Sequence, residues 1–410
     1  MVRSPAVRIT FAALAFSCIF MGCLPTTPVP DSVVTKTVTK RPIDTTPTIG
    51  LQVSKTRSID RYFLPPYYPE SYQQLIEASK NENGLIIYSN LGKDVWKPVI
   101  ESFQGHFPWI DVKIQDLGTN EVFDRYTSEI SLGERSADLV ASYSPDGWIN
   151  FANAGFIEPY LSEEDFYIPP WTKLAPGIYT IASDPLVILY NKDKISTPPQ
   201  NLNDVASLVE EHPEQMGGKI TSYDATQNST GEAVNWFWTE KMGQSGWDVL
   251  NKIGDSHPIF RTSASSMVDS IISGENLLGY FISPISFLSI IDKYPEIDWS
   301  YIKDGQPILM RSIAITKQSS SPNSARLMLD YLLSQEGQVA LAIGGMTPYR
   351  SDMANVDLFS SDAQPKHIHF NQVIEAVGLD NLIFINLDPS LTNADVNASF
   401  IEQWNRTMKK

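Results

Sequence analysis

The chain has 410 residues, 47 acidic against 31 basic for a formal charge of −16, and is 42% hydrophobic. That composition excludes a disordered chain, and at roughly 100–200 residues per domain the length predicts two or three folding units. The acidic balance excludes a protein whose main partner is nucleic acid, since phosphate neutralisation needs clustered Lys and Arg. Two cysteines exclude a disulfide scaffold. An anionic small molecule stays compatible with the charge, because it meets a local pocket rather than the net field.

Arg3 and Arg8 give a positive front, followed by an apolar run from Ile9 to Met21. The run is too short to span a bilayer stably and has the size of a signal-peptide h-region. Phe20-Met21-Gly22-Cys23 then resembles a bacterial lipobox, with Phe20 where a leucine-like residue usually stands. Residues 1–22 are therefore expected to be a lipoprotein signal peptide, removed to leave Cys23 as the lipidated first residue. Losing Arg3 and Arg8 leaves 29 basic residues against 47 acidic, a charge of −18. Leu24 to Gly50 holds five prolines and eight threonines. Such a stretch buries too little surface to offset its ordering entropy, and at roughly 3 Å per extended residue it reaches about 80 Å. Residues 23–70 read as a stalk, although Tyr62, Phe63, Tyr67 and Tyr68 are suited to packing on the body.

From residue 71 the pattern alternates. Tyr72–Ala78 reads as a helix, Leu85–Ser89 as a strand, and Trp96, Ile100, Phe103 and Phe107 recur at helical spacing. Val112–Ile114 and Asp138–Ser142 read as strands, with helices at Val122–Leu132 and Trp148–Ala154. Sequential β-α-β-α-β predicts a parallel sheet with helices on its faces, whose ligands sit outside the carboxyl ends of the strands. Ile178–Ala182 and Leu186–Tyr190 are two strands parted by Ser183-Asp184-Pro185, a candidate crossover between lobes. A second lies at Asp304-Gly-Gln-Pro307, before the run Ile308–Ile315.

These segments resemble, in order, the extracellular solute-binding proteins of bacterial ABC transporters, in the family that includes the ferric-iron binders. Gly84–Asn90 looks like the opening strand, and Ala137–Ser142 with Phe151–Ile157 is similar to the third strand and the helix end after it. Pro185–Asn191 looks like the crossover, and Gly218-Lys-Ile-Thr with Asn228-Ser-Thr-Gly231 resembles the family's glycine-bearing motifs. Ser312–Lys317, Pro322–Ala325, Leu332–Gln338 and Gly345–Arg350 follow, so the resemblance covers about residues 84–350. Asn386–Pro389 and Trp404-Asn405 in the tail are also family-like. It implies the type 2 periplasmic-binding-protein fold: two α/β lobes, each a mostly parallel sheet flanked by helices, joined by crossover strands. Lobe 1 is expected at 71–180 and 305–335, lobe 2 at 181–304 and 336–410.

Hydroxyls and helix N-termini at strand ends suit carboxylate or phosphate oxygens. On this ground and on the resemblance, the candidate ligand residues are Ser89, Asn90, Ser142, Tyr143, Ser183, Ser229, Thr230 and Ser283, with Arg350 as counter-charge. Each hydroxyl has an alternative role as a turn or cap residue. Arg311 lies inside an apolar strand-like run; it is expected to face outward on an alternating strand, or else to need an acidic or ligand partner.

Ferric binders of the family hold iron with adjacent tyrosines. Here the corresponding stretch is Gly279-Tyr-Phe-Ile-Ser-Pro-Ile285, and Leu91 and Gly92 stand where a histidine would lie. Fe³⁺ wants anionic oxygen donors, so iron transport is the lesser alternative and no metal or cofactor is expected. His367 and His369, two apart, read as a surface tail segment rather than a metal pair. The chain carries no G-x-S-x-G, H-E-x-x-H, G-x-G-x-x-G or Walker loop, so no enzyme is expected. The expected partners are a small solute, the permease subunits of an ABC importer and, through Cys23, the membrane; nucleic acid is not, and the protein is expected to be a monomer. A sensor kinase in place of the permease is a further alternative, since both roles use one clamp.

Overall fold

Proline and glycine punctuate the apolar runs, and the elements fall between them. The computed structural model describes residues 64–353 and 367–410, so the signal segment, Cys23 and the stalk through residue 63 lie outside the described residues. The first group is α1 (Tyr72–Ser79), β1 (Leu85–Ser89), α2 (Lys93–His106), β2 (Val112–Asp116), α3 (Glu121–Ser131), β3 (Leu139–Ser142), α4 (Pro145–Asn153), β4 (Lys173–Ala175) and β5 (Ile178–Pro185). The second is β6 (Val187–Asn191), α5 (Leu202–Glu211), α6 (Pro213–Met216), β7 (Ile220–Tyr223), α7 (Ser229–Gly254), β8 (Ile259–Arg261), α8 (Ala264–Ile272), β9 (Leu278–Ile282) and β10 (Ile297–Ser300). The third is β11 (Gln306–Ile315), α9 (Pro322–Leu333), α10 (Gln335–Ile343), α11 (Phe370–Val377), β12 (Leu382–Ile385) and α12 (Ala394–Thr407).

The strands form two sheets, one in the order β2-β1-β3-β11-β5-β4 with β12 added beside β11, the other β10-β6-β9-β7-β8. Both are mixed rather than mostly parallel. β1, β2 and β3 pair in parallel as the alternation predicts, but β11 runs antiparallel to β3 and β5, and β6 antiparallel to β9 and β10. The reason is the crossing itself: a strand that enters a sheet from the other lobe meets its neighbours from the opposite end.

The two crossovers are β5 into β6 through Pro185 and Leu186, and β10 into β11. Pro185 closes β5, where its missing N–H costs the ladder nothing further. β5 stays in the first sheet for its whole length, so the boundary falls after Pro185 rather than at residue 180. The tail also departs from expectation, being shared between the sheets rather than packed on the second. α10 lies against α2 and α9, β12 pairs with β11, and α12 packs on α7. Leu387 joins the cluster of Tyr88, Phe123, Tyr126 and Trp148 under the first sheet.

Residues 64–70 belong to the body, not to the stalk. Both Tyr67 and Tyr68 donate their hydroxyls to Glu164, at 2.9 and 2.7 Å, and the Tyr68 ring packs on Tyr72 with centroids 4.6 Å apart. Tyr72 in turn donates to Asp330, a buried carboxyl that also accepts from Tyr160, Ser162 and the Glu163 backbone. Of the four aromatic residues suited to packing on the body, Tyr67 and Tyr68 dock this stretch, while Tyr62 and Phe63 lie outside the described residues.

Among the described residues no helix is long and apolar enough to cross a membrane.

Candidate functional site

The carboxyl ends of β1, β3, β7 and β9 meet the two crossovers. At β1, Ser89 is fully buried, and its Oγ accepts from the Leu91 backbone at 3.0 Å and from Trp96 Nε1 at 2.9 Å. Ser142 is likewise engaged: it donates to the Thr119 carbonyl at 2.8 Å and accepts from the Ser144 backbone. Ser183 pairs with Thr347 through backbone and hydroxyl and is 1% exposed. These three serines close turns and strand contacts, the alternative role that any strand-end hydroxyl carries.

Asn90 and Thr230 are placed otherwise. Asn90 ties its backbone to Ala141, but its Nδ2 is buried with no hydrogen-bond partner among the described residues. Thr230 Oγ1 is buried and unpartnered in the same sense. Thr230 and Ser229 open α7, where the Asn228 side chain accepts from the Gly231 N–H at 2.9 Å and leaves the first two N–H groups of the helix uncapped. Gly231 is what lets this helix start so close to β7. A Cβ there would lie 2.7 Å from the Asp224 carbonyl and 2.9 Å from Tyr223 Cβ.

Between these ends lies a charged floor. Arg311, from the middle of β11, is 5% exposed and ion-paired through Nη2 to Asp184 of β5. Ser283, just past β9 in the other sheet, donates to Asp184 Oδ2 at 2.6 Å, with its Oγ 3.4 Å from Arg311 Nη2. Tyr143, at the end of β3, sets its ring 5.1 Å from the Arg311 guanidinium and accepts from Thr119 at 3.2 Å. Tyr223 is buried beneath, and that burial with the nearby Tyr143 and Asp184 pushes its hydroxyl well above the ordinary range. The outward-facing expectation for Arg311 fails because β11 is buried at all ten positions. A strand covered on both faces has no outward side.

Arg350 does not join this group. It is 1% exposed, with Nη1 at 2.5 Å from Glu164 and 2.9 Å from the Leu333 carbonyl, and with Nε and Nη2 on Asp352. Its charge is spent on carboxylates beside the docked 64–72 segment. A cavity of about 280 Å³ lined by Tyr68, His106, Tyr331 and Arg350 belongs to that crevice, not to the strand ends.

Tyr280 is buried within β9, and burial pushes its hydroxyl up, which opposes the phenolate an iron site requires. Among the described residues no group of three or more His, Cys, Asp or Glu is arranged to hold a metal. His367 and His369 are buried rather than on the surface, and His369 caps α11 by accepting from the Asn371 backbone through Nδ1.

One further carboxyl stands at this end of α7. Glu232 accepts from Asn397 of α12, and burial together with the Asp146 charge at the start of α4 raises it from 4.5 to about 7. A carboxyl raised on folding takes up a proton, so its contribution to stability is lost as pH rises from 4.5 through about 7. Glu232→Gln is therefore expected to match the parent protein in urea at pH 4.5 and to exceed it at pH 8. An equal difference at both pH values would contradict this.

The decisive comparison is with known families. The family model of the bacterial extracellular solute-binding proteins matches residues 88–339. The chain belongs to this family. Solved structures agree in fold with this solute-binding protein. An ABC-transporter substrate-binding protein from Agrobacterium tumefaciens superposes with a TM-score of 0.67 at 21% identity, over 80% of this chain and 96% of that one. Iron-bound HitA from Pseudomonas aeruginosa gives 0.59 at 18%, over 79% and 99%. AfuA from Actinobacillus pleuropneumoniae, bound to fructose 6-phosphate, gives 0.59 at 16%, over 80% and 98%. No curated protein sequence matches the chain. The fold is thus the type 2 periplasmic-binding fold, and identities in this range speak to the fold alone.

Of the candidate residues, Asn90, Tyr143, Ser229, Thr230 and Ser283 stand at the meeting strand ends. Ser89, Ser142 and Ser183 are there too but are internally bonded, and Arg350 is elsewhere. Sequence reasoning missed Asp184 and underrated Arg311. The available signal was an acid and an arginine each lying within a crossover segment.

Proposed function

We propose that this solute-binding protein is the capturing component of an ABC importer. It is anchored by lipid at Cys23 in the periplasm or at the cell surface, and it closes its two lobes on a small polar solute, an organic or phosphorylated anion. The observation that carries the solute class is a set of donors: Asn90 Nδ2 and Thr230 Oγ1, each buried without an acceptor among the described residues, and the uncapped N–H groups of Ser229 and Thr230. Donors of this kind complement a ligand rich in acceptor oxygens. Ser229, Tyr143 and Ser283 complete the neutral lining. Closure is a population shift: a solute touching both lobes favours the form in which both contacts are made.

The test is thermal unfolding of the full chain with sugar phosphates, phosphonates, dicarboxylates, polyamines, thiamine, and Fe³⁺ with a carrier anion. A solute at 100 times its dissociation constant adds about 2.7 kcal/mol, a shift of a few degrees at this size. The expected result is a shift with an anion that is lost in Thr230→Val, which removes the hydroxyl and keeps the shape. A shift with iron alone would overturn the solute class. Fatty-acid label that persists in Cys23→Ala would overturn the anchor.

A further inference from the structure

The guanidinium of Arg311 is only partly used. Asp184 takes Nη2, and the Ser283 hydroxyl lies 3.4 Å from the same nitrogen. The adjacent Nε is buried with no hydrogen-bond partner among the described residues, although the side chain is 5% exposed. A guanidinium presents its N–H groups as a planar fork that matches two oxygens of a carboxylate or phosphate. Here one prong is filled by the protein, and the prong beside it is not. A buried donor left in this state is costly unless a ligand completes it.

The surroundings fix which side completes it. Tyr143 from the first sheet covers the guanidinium, Ser283 from the second reaches the same ion pair, and Asp184 and Arg311 come from the two crossovers. An atom bound at Nε is therefore held by groups whose relative positions depend on both sheets.

We propose that Arg311 is the anion-recognising residue of the site, meeting an oxygen of the solute's carboxylate or phosphate through Nε–H. Asp184 and Ser283 are positioning residues that hold Nη2 and orient the fork. The inference rests on the solute-binding reading above and deepens it. It assigns the solute one compact anionic group, because Arg311 and Asp184 together carry no net charge and a second anionic group would face Asp184. It also gives the counter-charge role, expected of Arg350, to a residue 39 positions earlier. Closing then follows from the ligand's own contacts: an anion at Nε is held by a guanidinium that Asp184 and Ser283 fix in place, so it favours the form in which these groups are together.

The test is calorimetric titration of the full chain with inorganic phosphate, glycerol 3-phosphate and lactate, with glycerol as the neutral counterpart. At least one anion is expected to bind, and Arg311→Gln to weaken it roughly 10- to 100-fold, the range for a charged hydrogen bond, while Arg311→Lys recovers only part. Arg311→Gln leaves Asp184 as a lone buried charge. The double variant Arg311→Gln/Asp184→Asn is therefore measured as well, and is expected to fold and still to lack the anion preference. Unchanged anion affinity in both variants overturns the assignment. So does a protein that binds a neutral or cationic solute of the wider panel but none of the anions, and that result leaves the solute-binding reading intact. Silence with every solute counts against that reading and with it against the role of Arg311.

Discussion

Alanine at position 350 is expected to destabilise the protein by about 3–5 kcal/mol, the range for breaking a buried ion pair from one side. Glu164 is fully buried, and Arg350, itself 1% exposed, is its charge partner at 2.5 Å. Tyr67 and Tyr68 also donate to Glu164, but hydroxyls do not balance a charge in a dry site. The loss extends beyond the pair, because Glu164 is what holds residues 64–68 against the body. Urea unfolding of Arg350→Ala measures the effect, and solute titration of the variant that remains folded separates the two roles. Unchanged solute affinity with a large stability loss is the expected pattern. A loss below about 1 kcal/mol together with abolished binding would return Arg350 to the ligand site.

The second large effect is expected at Gly337. A Cβ there would lie 1.8 Å from the Tyr331 carbonyl and 2.9 Å from Leu332 Cα, both backbone atoms. The cause is the joint between α9 and α10. Ser334 ends α9 by bonding its N–H to Asp330 and Tyr331, and it caps α10 by accepting from the Gly337 N–H at 3.1 Å. One residue serving both helices folds the second tightly back over the first, and only a residue without a side chain passes beneath. Gln338, next in line, is fully buried and donates to the carbonyls of Ile181 at 2.6 Å and Leu332 at 3.1 Å while accepting from the Tyr349 backbone. Gly337→Ala is therefore expected to cost about 3 kcal/mol or more, at the upper end for overpacking. A shift in urea midpoint worth less than about 1 kcal/mol would mean that the joint yields.

The same two places show what was legible in the sequence. Leu332–Gln338 was readable as a family-like motif, but its physical reason, a doubly used serine and a backbone approach, needs the three-dimensional joint. β1 and the two crossovers were readable because apolar runs stop at Pro185 and before Pro307, and such punctuation is local. Which strand-end serine stays free was not readable. Ser89 and Thr230 are both hydroxyl residues near strand ends, yet Trp96, seven positions on, takes the first and nothing among the described residues takes the second. The charged partners were hidden by distance: Asp184 and Arg311 are 127 residues apart, and Glu164 and Arg350 are 186 apart. An arginine in an apolar run announces that it needs a partner, not which one. Buried strands also erase the alternation that would have shown its direction, as β11 does.

The most direct test is a crystal structure of the protein with the solute selected by the thermal panel. The solute is predicted to lie between the ends of β1 and β3 and the start of α7, within hydrogen-bond distance of Asn90 Nδ2 and Thr230 Oγ1, with its anionic oxygens toward Arg311. A solute seated instead in the crevice lined by Tyr68, His106 and Tyr331 would contradict the account.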